Sequence, residues 1–275
     1  MAMRWSNRLV GRSEINQLDL RARIDIETRV TDAQGEQVDL EEIAGWELTL
    51  ETLRHIRIRG FMLDHLGPLE GKQLLDLGCG YSMSPVCLAS GGAIVSACDV
   101  SPRAIDAVRY VAEKKGLAHR ITLRVCAAEQ LPFEDASFDL IYGGSVLHHI
   151  DLDLAGPELA RVLKPGGRAV FTDPLGHNRL LEFARDYLPY GGKHREKGTD
   201  LPLTVGDIER FGRNFSECAW YGLELFAMAG KPFRMRQTNG VARLDAVLGA
   251  VDDVLLKHVP RLQKYCRYAG TCVVR

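Results

Sequence analysis

Residues 74–85 read LLDLGCGYSMSP, in which an apolar run ends in an aspartate and two glycines. Gly78 and Gly80 let the backbone turn sharply and approach a ligand closely, because glycine has no Cβ in the way. The helix that follows would direct its positive end toward that ligand. Several nucleotide-binding designs use such a corner, so the stretch predicts a nucleotide-derived ligand without naming it.

Asp99 follows at the end of a second apolar run. A carboxylate at this place accepts hydrogen bonds from both hydroxyls of a ribose, in NAD as in S-adenosylmethionine. A dinucleotide site usually has a third glycine, in the pattern G-x-G-x-x-G, whereas this chain has Met83 there. The large side chain weakens the case for a nicotinamide cofactor, and Asp99 alone does not choose between the two.

Two adjacent histidines, His148 and His149, follow the fourth predicted strand. An imidazole titrates near neutral pH and suits the removal of a proton from a hydroxyl or an activated carbon. Adjacent side chains point in different directions, so we expect at most one to face a substrate; the alternative is that both shape the strand-to-helix junction. Asp173, at the end of the fifth strand, would orient a histidine, bind an acceptor hydroxyl or cap the next helix. His177 and Asn178 would line the pocket or form a turn.

The apolar pattern predicts the elements that must position these residues. Strands are predicted at 73–78, 93–100, 121–127, 138–143, 168–173, 216–226 and 266–274. Helices are predicted at 82–91, 101–116, 155–163 and 240–258, the third stopped by the Lys-Pro-Gly-Gly turn at 164–167. Alternation of strands and helices predicts an α/β fold, a Rossmann-like, seven-stranded, mostly parallel sheet with helices on both faces. Such sheets bind ligands at the carboxyl ends of their strands, where the motifs above lie.

Two further regions are predicted around this core. Residues 1–70 form a helical N-terminal extension with a helical pattern over 39–67, and a helical cap is inserted at about 175–212 of the main domain, 71–275. Both would close an acceptor pocket. The aromatic candidates for that pocket, each of which is equally explained by core packing, are Trp46, Phe61, Phe183, Tyr187, Tyr190 and Phe211. The basic loop 193–197 would be a solvated loop, a lid or a contact for an acidic acceptor or an anionic lipid headgroup.

Composition narrows the class of protein. The chain has 275 residues, 46% of them hydrophobic, and a formal net charge of -1. A protein that binds nucleic acid usually carries a basic excess, so we expect a small-molecule acceptor and no nucleic-acid partner. The seven cysteines lack metal-ligand spacing, which predicts reduced, buried thiols and no metal site. Without an apolar signal region or a run of 18 apolar residues, the expectation is a cytoplasmic protein with no transmembrane segment.

Four segments of the chain resemble the class I S-adenosylmethionine-dependent methyltransferases. The group that they resemble most contains quinone-biosynthesis and natural-product small-molecule methyltransferases. The segments, which keep the family's order and spacing, are LLDLGCG (74–80), ACDVSPRAI (97–105), CAAEQLPFEDASFDLIYGGSVLHHI (126–150) and ELARVLKPGGRAVFTDP (158–174).

The resemblance implies S-adenosylmethionine as the cofactor and a place for each part of it. Asp76, Gly78 and Gly80 would lie at its methionine end. Asp99 would hold the ribose, with Val100 and Ser101 beside the adenine. Ala127, Ala128 and Glu129 would form the strand end that flanks the adenine, with a hydrogen bond to its exocyclic amine. Gly143, Gly144 and Ser145 would run beneath the methionine moiety.

The expected function is methyl transfer to a small organic acceptor, with oxygen or carbon preferred if a histidine acts as the base and nitrogen still open. The chain lacks the [DN]-PP-[YF] motif and the Pro-Cys nucleophile of enzymes that methylate nucleic-acid bases. One alternative is a lipid or quinone methyltransferase that contacts the membrane surface through residues 179–190. Alternatives of other classes are a nicotinamide-dependent oxidoreductase and a non-catalytic cofactor-binding protein.

Overall fold

The computed structural model describes residues 19–181, 183, 201–227 and 239–275. Its strands are β1 (Gln73–Leu77), β2 (Ile94–Asp99), β3 (Ile121–Val125), β4 (Phe138–Gly144), β5 (Leu163–Pro174), β6 (Glu217–Leu223) and β7 (Tyr268–Val274). They form one sheet in the order β3-β2-β1-β4-β5-β7-β6. The first five strands pair in parallel, and β7 lies antiparallel between β5 and β6. The predicted mostly parallel, seven-stranded sheet is confirmed.

Helices precede the sheet and connect its strands. They are α1 (Leu20–Gly35), α2 (Leu40–Gly45), α3 (Leu50–Arg54), α4 (Arg57–Leu66), α5 (Ser84–Ser90), α6 (Pro102–Lys114), α7 (Leu152–Val162), α8 (Val205–Gly212) and α9 (Asn239–His258). Parallel neighbours need crossover connections, which α5, α6 and α7 supply. None of the helices in the described residues combines the length and apolarity needed to cross a membrane.

Apolar side chains cover both faces of the sheet, because successive residues of a strand point to opposite sides. Leu74 packs in a layer with Leu63 of α4 and Val108 of α6. The next residue, Leu75, packs in the opposite layer with Phe211 of α8. Burial on both faces explains why the strands read as near-continuous apolar runs.

The Lys-Pro-Gly-Gly sequence is not the helix-stopping turn that the sequence predicts. It lies inside β5, which begins at Leu163, directly after α7. Pairing with β4 shifts from Phe138 opposite Leu163 to Leu140 opposite Arg168, so the extra residues form a bulge. Gly166 has a φ of 73°, which allows the chain to bend there and rejoin the sheet.

The helical pattern over 39–67 is broken into three helices. A capping box at Thr49 and Thr52 starts α3 after a break that follows Trp46. The predicted stop is present, since Gly67 ends α4 with a φ of 83°. These short helices, with α1, build the described part of the predicted N-terminal extension.

In the described part of the predicted cap, α8 forms where the sequence has LTVGDIERFG, and residues 179–181 and 183 are also helical. Thr204 and Asp207 form a capping box at its start. The ring of Phe211 packs edge-on against Phe171 of β5, with 5.6 Å between the ring centroids. Phe211 is therefore a core residue, which is one of the two roles that the sequence left open for it.

All seven cysteines carry free thiols. Four of them are buried, but Cys218 on the edge strand β6 is exposed. The prediction of buried thiols is therefore wrong for Cys218, because an edge strand has one neighbour and one side that solvent reaches.

Candidate cofactor and catalytic site

A cavity of about 290 Å³ lies between the carboxyl ends of β1 to β4 and one face of α1. Its lining contains nine of the residues that the sequence predicts for the site, namely Gly78, Gly80, Asp99, Val100, Ala128, Glu129, Gly144, Ser145 and His149. Six other candidates do not line it and lie in the surrounding structure, namely Asp76, Ser101, Ala127, Gly143, His148 and Asp173. The fold thus brings together segments that are far apart in the chain.

The glycines at this edge are required by two different constraints. Gly78 and Gly80 have φ angles of 64° and 46°, in the left-handed region that favours glycine. A Cβ at Gly78 would also lie 2.5 Å from a methyl group of Val146. At Gly144 a Cβ would overlap the guanidinium of Arg59. At Gly78 and Gly144 there is therefore no room for a side chain.

Asp99 is held in place by backbone amides on both sides. The amide of Gly80 donates to Oδ2 over 2.8 Å, and the amide of Ser101 donates to Oδ1 over 2.9 Å. Burial raises the pKa of Asp99, and these two amides oppose that shift. The carboxylate therefore faces the cavity in a fixed orientation, as a group that holds a ribose must.

Asp76 is a buried carboxyl group with an unsatisfied atom. The side chain is 1% exposed, and Oδ2 has no hydrogen-bond partner. Burial raises the pKa of Asp76 to about 7, against opposing effects of the Ser84 hydroxyl and the Arg59 guanidinium. Because an orphaned buried carboxylate is costly, a cation beside it would be stabilising.

One face of α1 closes the cavity. The sequence predicts that the N-terminal extension closes an acceptor pocket, but it does not single out the residues of this face. The residues of that face are Arg23, Ile24, Glu27, Val30, Thr31 and Gln34. Arg23 donates to Asp151 over 3.2 Å, and Thr28 donates to the carbonyl of Val100 over 3.4 Å. The recurrence of lining residues every three or four positions was a readable helical signal, but their mixed polarity hid it.

The sequence did not predict a role for Arg59 either, although its position in a helix is unusual for a cation. It lies in the first turn of α4, where the helix dipole disfavours a cation, so the position calls for another reason. Its Nη1 donates to the hydroxyl of Tyr142 over 2.9 Å, beside Gly144. A guanidinium therefore adjoins the end of β4 beneath the cavity.

The predicted adenine end differs in detail from the expectation. The amide of Asp151 donates to Oε1 of Glu129 over 2.7 Å, so this carboxylate also anchors the start of α7. Ser101 is fully buried, and its hydroxyl accepts from the amide of Ala104 as the cap of α6. Val100 and Ala128 line the cavity between these two helix starts.

The two histidines have different partners, a strand residue for His148 and a helix residue for His149. His148 and Asp173 are both buried, and the distance between Nδ1 and Oδ1 is 2.7 Å. His149 lines the cavity, with its Nδ1 3.1 Å from Oε2 of Glu27. Burial and then the neighbouring His148 lower the pKa of His149, against the opposing effect of Glu27. The ring centroids are 3.9 Å apart, so the two environments are directly adjacent.

The remaining candidates have contacts elsewhere in the fold, are exposed, or lie outside the described residues. His177 accepts from the amide of Val205 over 3.0 Å at the start of α8, and Asn178 donates to the carbonyl of Tyr265. Phe61 packs on His65 and Tyr221, while Trp46 and Phe183 are exposed. Tyr187, Tyr190 and the basic loop 193–197 lie outside the described residues.

The charges of the cavity fit S-adenosylmethionine, whose sulfonium and ammonium groups are both cationic. Its lining carries the carboxylates of Glu27, Asp99 and Glu129 and one guanidinium, that of Arg23. Behind the lining, Asp76 has an unpartnered oxygen that an ammonium group would satisfy. A dinucleotide pyrophosphate, which is anionic, would meet like charges in the same place.

Comparison with known proteins agrees with this geometry. Residues 75–171 match the family model described as a methyltransferase domain. The chain is 41% identical over 118 residues to the ubiquinone biosynthesis O-methyltransferase of Methylocella silvestris, which is 42% of this chain and 45% of that protein. It is 37% identical over 112 residues to the sarcosine/dimethylglycine N-methyltransferase of Halorhodospira halochloris, which is 40% of this chain and 39% of the relative.

The fold is also that of a solved methyltransferase. The geranyl diphosphate C-methyltransferase of Streptomyces coelicolor A3(2), solved with S-adenosyl-L-homocysteine, superposes with a TM-score of 0.54 and 16% identity. The superposition covers 81% of this chain and 79% of that one. The chain spans less than half the length of the two curated relatives above. Residues 75–171, which carry most of the cavity, therefore match a methyltransferase domain.

Proposed function

We propose that this protein transfers a methyl group from S-adenosylmethionine to an oxygen or an acidic carbon of a small organic molecule. The choice of acceptor atom rests on one observation, the buried pair of His148 and Asp173 beside the cofactor cavity. A hydroxyl or an acidic carbon must lose a proton to accept a methyl group, whereas an amine with a free lone pair needs no base. A pair built for proton removal therefore favours the first two acceptors.

The residues around the cavity would hold the cofactor by its charges. Asp76 would bind the ammonium of the methionine part, Arg59 its carboxylate, and Asp99 the ribose hydroxyls. The cofactor supplies an electrophilic methyl group on a sulfonium. With the cofactor held at several points, the remaining task of the chain is to bring the acceptor atom to that methyl group in line.

His148 is the residue that we assign as the base. An ionised Asp173 would accept a hydrogen bond from Nδ1 over 2.7 Å, and the tautomer that makes this bond carries its lone pair on Nε2. The amide of His148 also donates to the same carboxylate oxygen over 3.2 Å, so the backbone and the ring share one anchor. In this arrangement Nε2 takes the proton of the acceptor, and Asp173 stabilises the resulting imidazolium, as in other Asp–His pairs.

His149 belongs to the cofactor side of the site. It lines the same cavity as Asp99, next to Glu27 of α1, and its positive form would lower the pKa of Asp99. Asp173 lies at the end of β5, on the other side of β4 from β1 and β2. The acceptor would therefore approach over β5 and meet His148 first.

The proposed activity is tested by incubating the full chain with S-adenosylmethionine and separate panels of phenols, 1,3-dicarbonyl compounds and amines. We expect release of S-adenosylhomocysteine together with a product one methylene unit heavier in the first or second panel. Asp99→Ala serves as the matched control and should release none. Turnover confined to the amine panel would contradict the proposed acceptor atom, and no turnover in any panel would contradict the small-acceptor assignment.

Asp99→Ala should weaken the binding of S-adenosylhomocysteine at least tenfold, measured by isothermal titration calorimetry. The substitution removes the acceptor for the ribose and leaves the amides of Gly80 and Ser101 without their partner. As a matched control, Asp106→Ala removes an exposed carboxylate from α6 and should bind as the wild type does. Equal affinity of the Asp99 variant would place the ribose elsewhere.

Asp76 should make the free energy of unfolding of the cofactor-free protein fall as pH rises. In the folded protein the pKa of Asp76 is about 7, above the ordinary value of 3.8, so stability that is present below pH 4 is lost as pH rises through about 7. The loss is at most about 4 kcal/mol. Urea denaturation from pH 5 to 8 should show Asp76→Asn gaining stability relative to the wild type. Glu47 is exposed, and Glu47→Gln should show the same dependence of unfolding free energy on pH as the wild type. If the curve of Asp76→Asn also runs parallel to that of the wild type, the raised pKa of Asp76 is refuted.

The roles of the two histidines are separated by kinetics with whichever acceptor the panels identify. His148→Ala should lower kcat about 100-fold or more at saturating cofactor, because a general base contributes roughly that factor. Asp173→Asn should do the same, and the double variant should lose little more, since the pair acts as a unit. His149→Ala should instead raise the Kd for the cofactor. A tenfold fall in kcat for His149→Ala with none for His148→Ala would reverse the assignment.

A further inference from the structure

Exposed apolar side chains are concentrated in one part of the molecule. Among the described residues, 15 large apolar side chains are exposed, and nine of them belong to the segments 180–183, 226 and 244–265: Leu180, Phe183, Phe226, Leu244, Val247, Val251, Val254, Val259 and Tyr265. Hydrogen bonds tie these segments together. Asn178 donates to the carbonyl of Tyr265 over 3.0 Å, and the amide of Phe226 donates to Asp252 of α9 over 2.8 Å.

The centre of this region is the outer face of α9. Leu244, Val247, Val251 and Val254 recur at intervals of three and four residues, so they form one stripe about 15 Å long. Val247 is 60% exposed and Val254 is 62% exposed. Monomeric soluble proteins rarely leave such a contiguous stripe to water.

The opposite face of α9 is already used by the fold. Leu256 is buried in the layer that contains α7 and α8. Asp252 is fully buried, where it accepts the amides of Leu225, Phe226 and Ala227. The helix is therefore anchored in one orientation, and the stripe cannot turn inward.

Positive charge lies at the carboxyl-terminal end of the stripe, beyond Asp253, which pairs with Arg57. From Val254 to Arg267 the chain has four Lys or Arg residues and no Asp or Glu. Lys257 continues the stripe by one helical turn and is exposed, as are Arg261 and Lys264 in the short helix that follows. Exposed Tyr265, with the ammonium of Lys264 over its ring at 5.1 Å, adds an amphipathic aromatic group at the same end.

We propose that the outer face of α9 and the basic segment after it dock on an anionic lipid bilayer surface. An apolar stripe that enters the acyl boundary, flanked by cations for the headgroups, is the pattern of an interfacial helix. Each Lys or Arg near an anionic membrane adds attraction that salt screens. This docking surface is separate from the cofactor cavity, so the proposal does not depend on the proposed methyl transfer.

The test is flotation of the full chain with vesicles of phosphatidylcholine alone and with added phosphatidylglycerol. We expect the protein to float with the anionic vesicles at least tenfold more than with the neutral ones, and to lose most of this preference in high salt. Val247→Gln combined with Val254→Gln should reduce flotation at least tenfold without adding charge. Lys257→Gln combined with Arg261→Gln and Lys264→Gln should abolish the dependence on salt.

Leu154→Gln, which replaces an exposed apolar residue on α7, is the matched control and should float as the wild type does. All variants should bind S-adenosylhomocysteine with unchanged affinity, which shows that they are folded. Absence of wild-type flotation with anionic vesicles, or full flotation of the double valine variant, would overturn the proposal. A dimer in light scattering that the valine substitutions dissociate would overturn it too, because a second copy would then cover the stripe.

Discussion

The carboxylate of Asp99 accepts a hydrogen bond from the amide of Gly80, which follows the neighbouring strand β1, and the rest of the site depends on this bond. The bond joins the loop after β1 to the end of β2, and a second amide, from Ser101, joins it to the start of α6. Two loops that would otherwise move separately are thereby held in one position. The orientation of the carboxylate, the turn at the glycines and the start of the helix are set together, before any ligand is bound.

Asp76 and Arg59 have polar atoms without a full set of partners, and a bound cofactor would supply the missing partners. Asp76 has a buried oxygen without a partner and a pKa that burial raises to about 7. The guanidinium of Arg59 lies beneath Gly144, where its hydrogen bond to Tyr142 uses one of its five N–H groups. Opposite charges thus lie near the same end of the cavity, and an amino acid group with both signs would pair with each. This is how a buried charge is retained in a folded protein, since it costs stability until its partner arrives.

The described part of the N-terminal extension contributes directly to the site. Arg23 and Glu27 of α1 reach the cavity, and Arg23 pairs with Asp151 at the start of α7. No side chain of α1 is buried, so polar contacts and partial burial hold this helix over the cavity. Elements held in this way open at a low free-energy cost, which agrees with a helix that lies between the cofactor and solvent. The proposed membrane surface on α9 is a separate feature, because it includes none of the residues that line the cavity.

The sequence by itself determined the parallel sheet, the order of its elements and the edge at which the cavity lies, because buried parallel strands leave continuous apolar runs and carboxyl ends carry the loops. It also predicted Gly78, Gly80 and Asp99, which line that cavity, since these residue types at strand ends have few other uses. It did not separate His148 from His149, because neighbouring residues differ only in the direction of their side chains. The tertiary structure separated them by placing Asp173 beside one and Glu27 beside the other. The positions of α1, Arg59 and the outer face of α9 were likewise decided by packing, because contacts between residues far apart in the chain leave no local pattern.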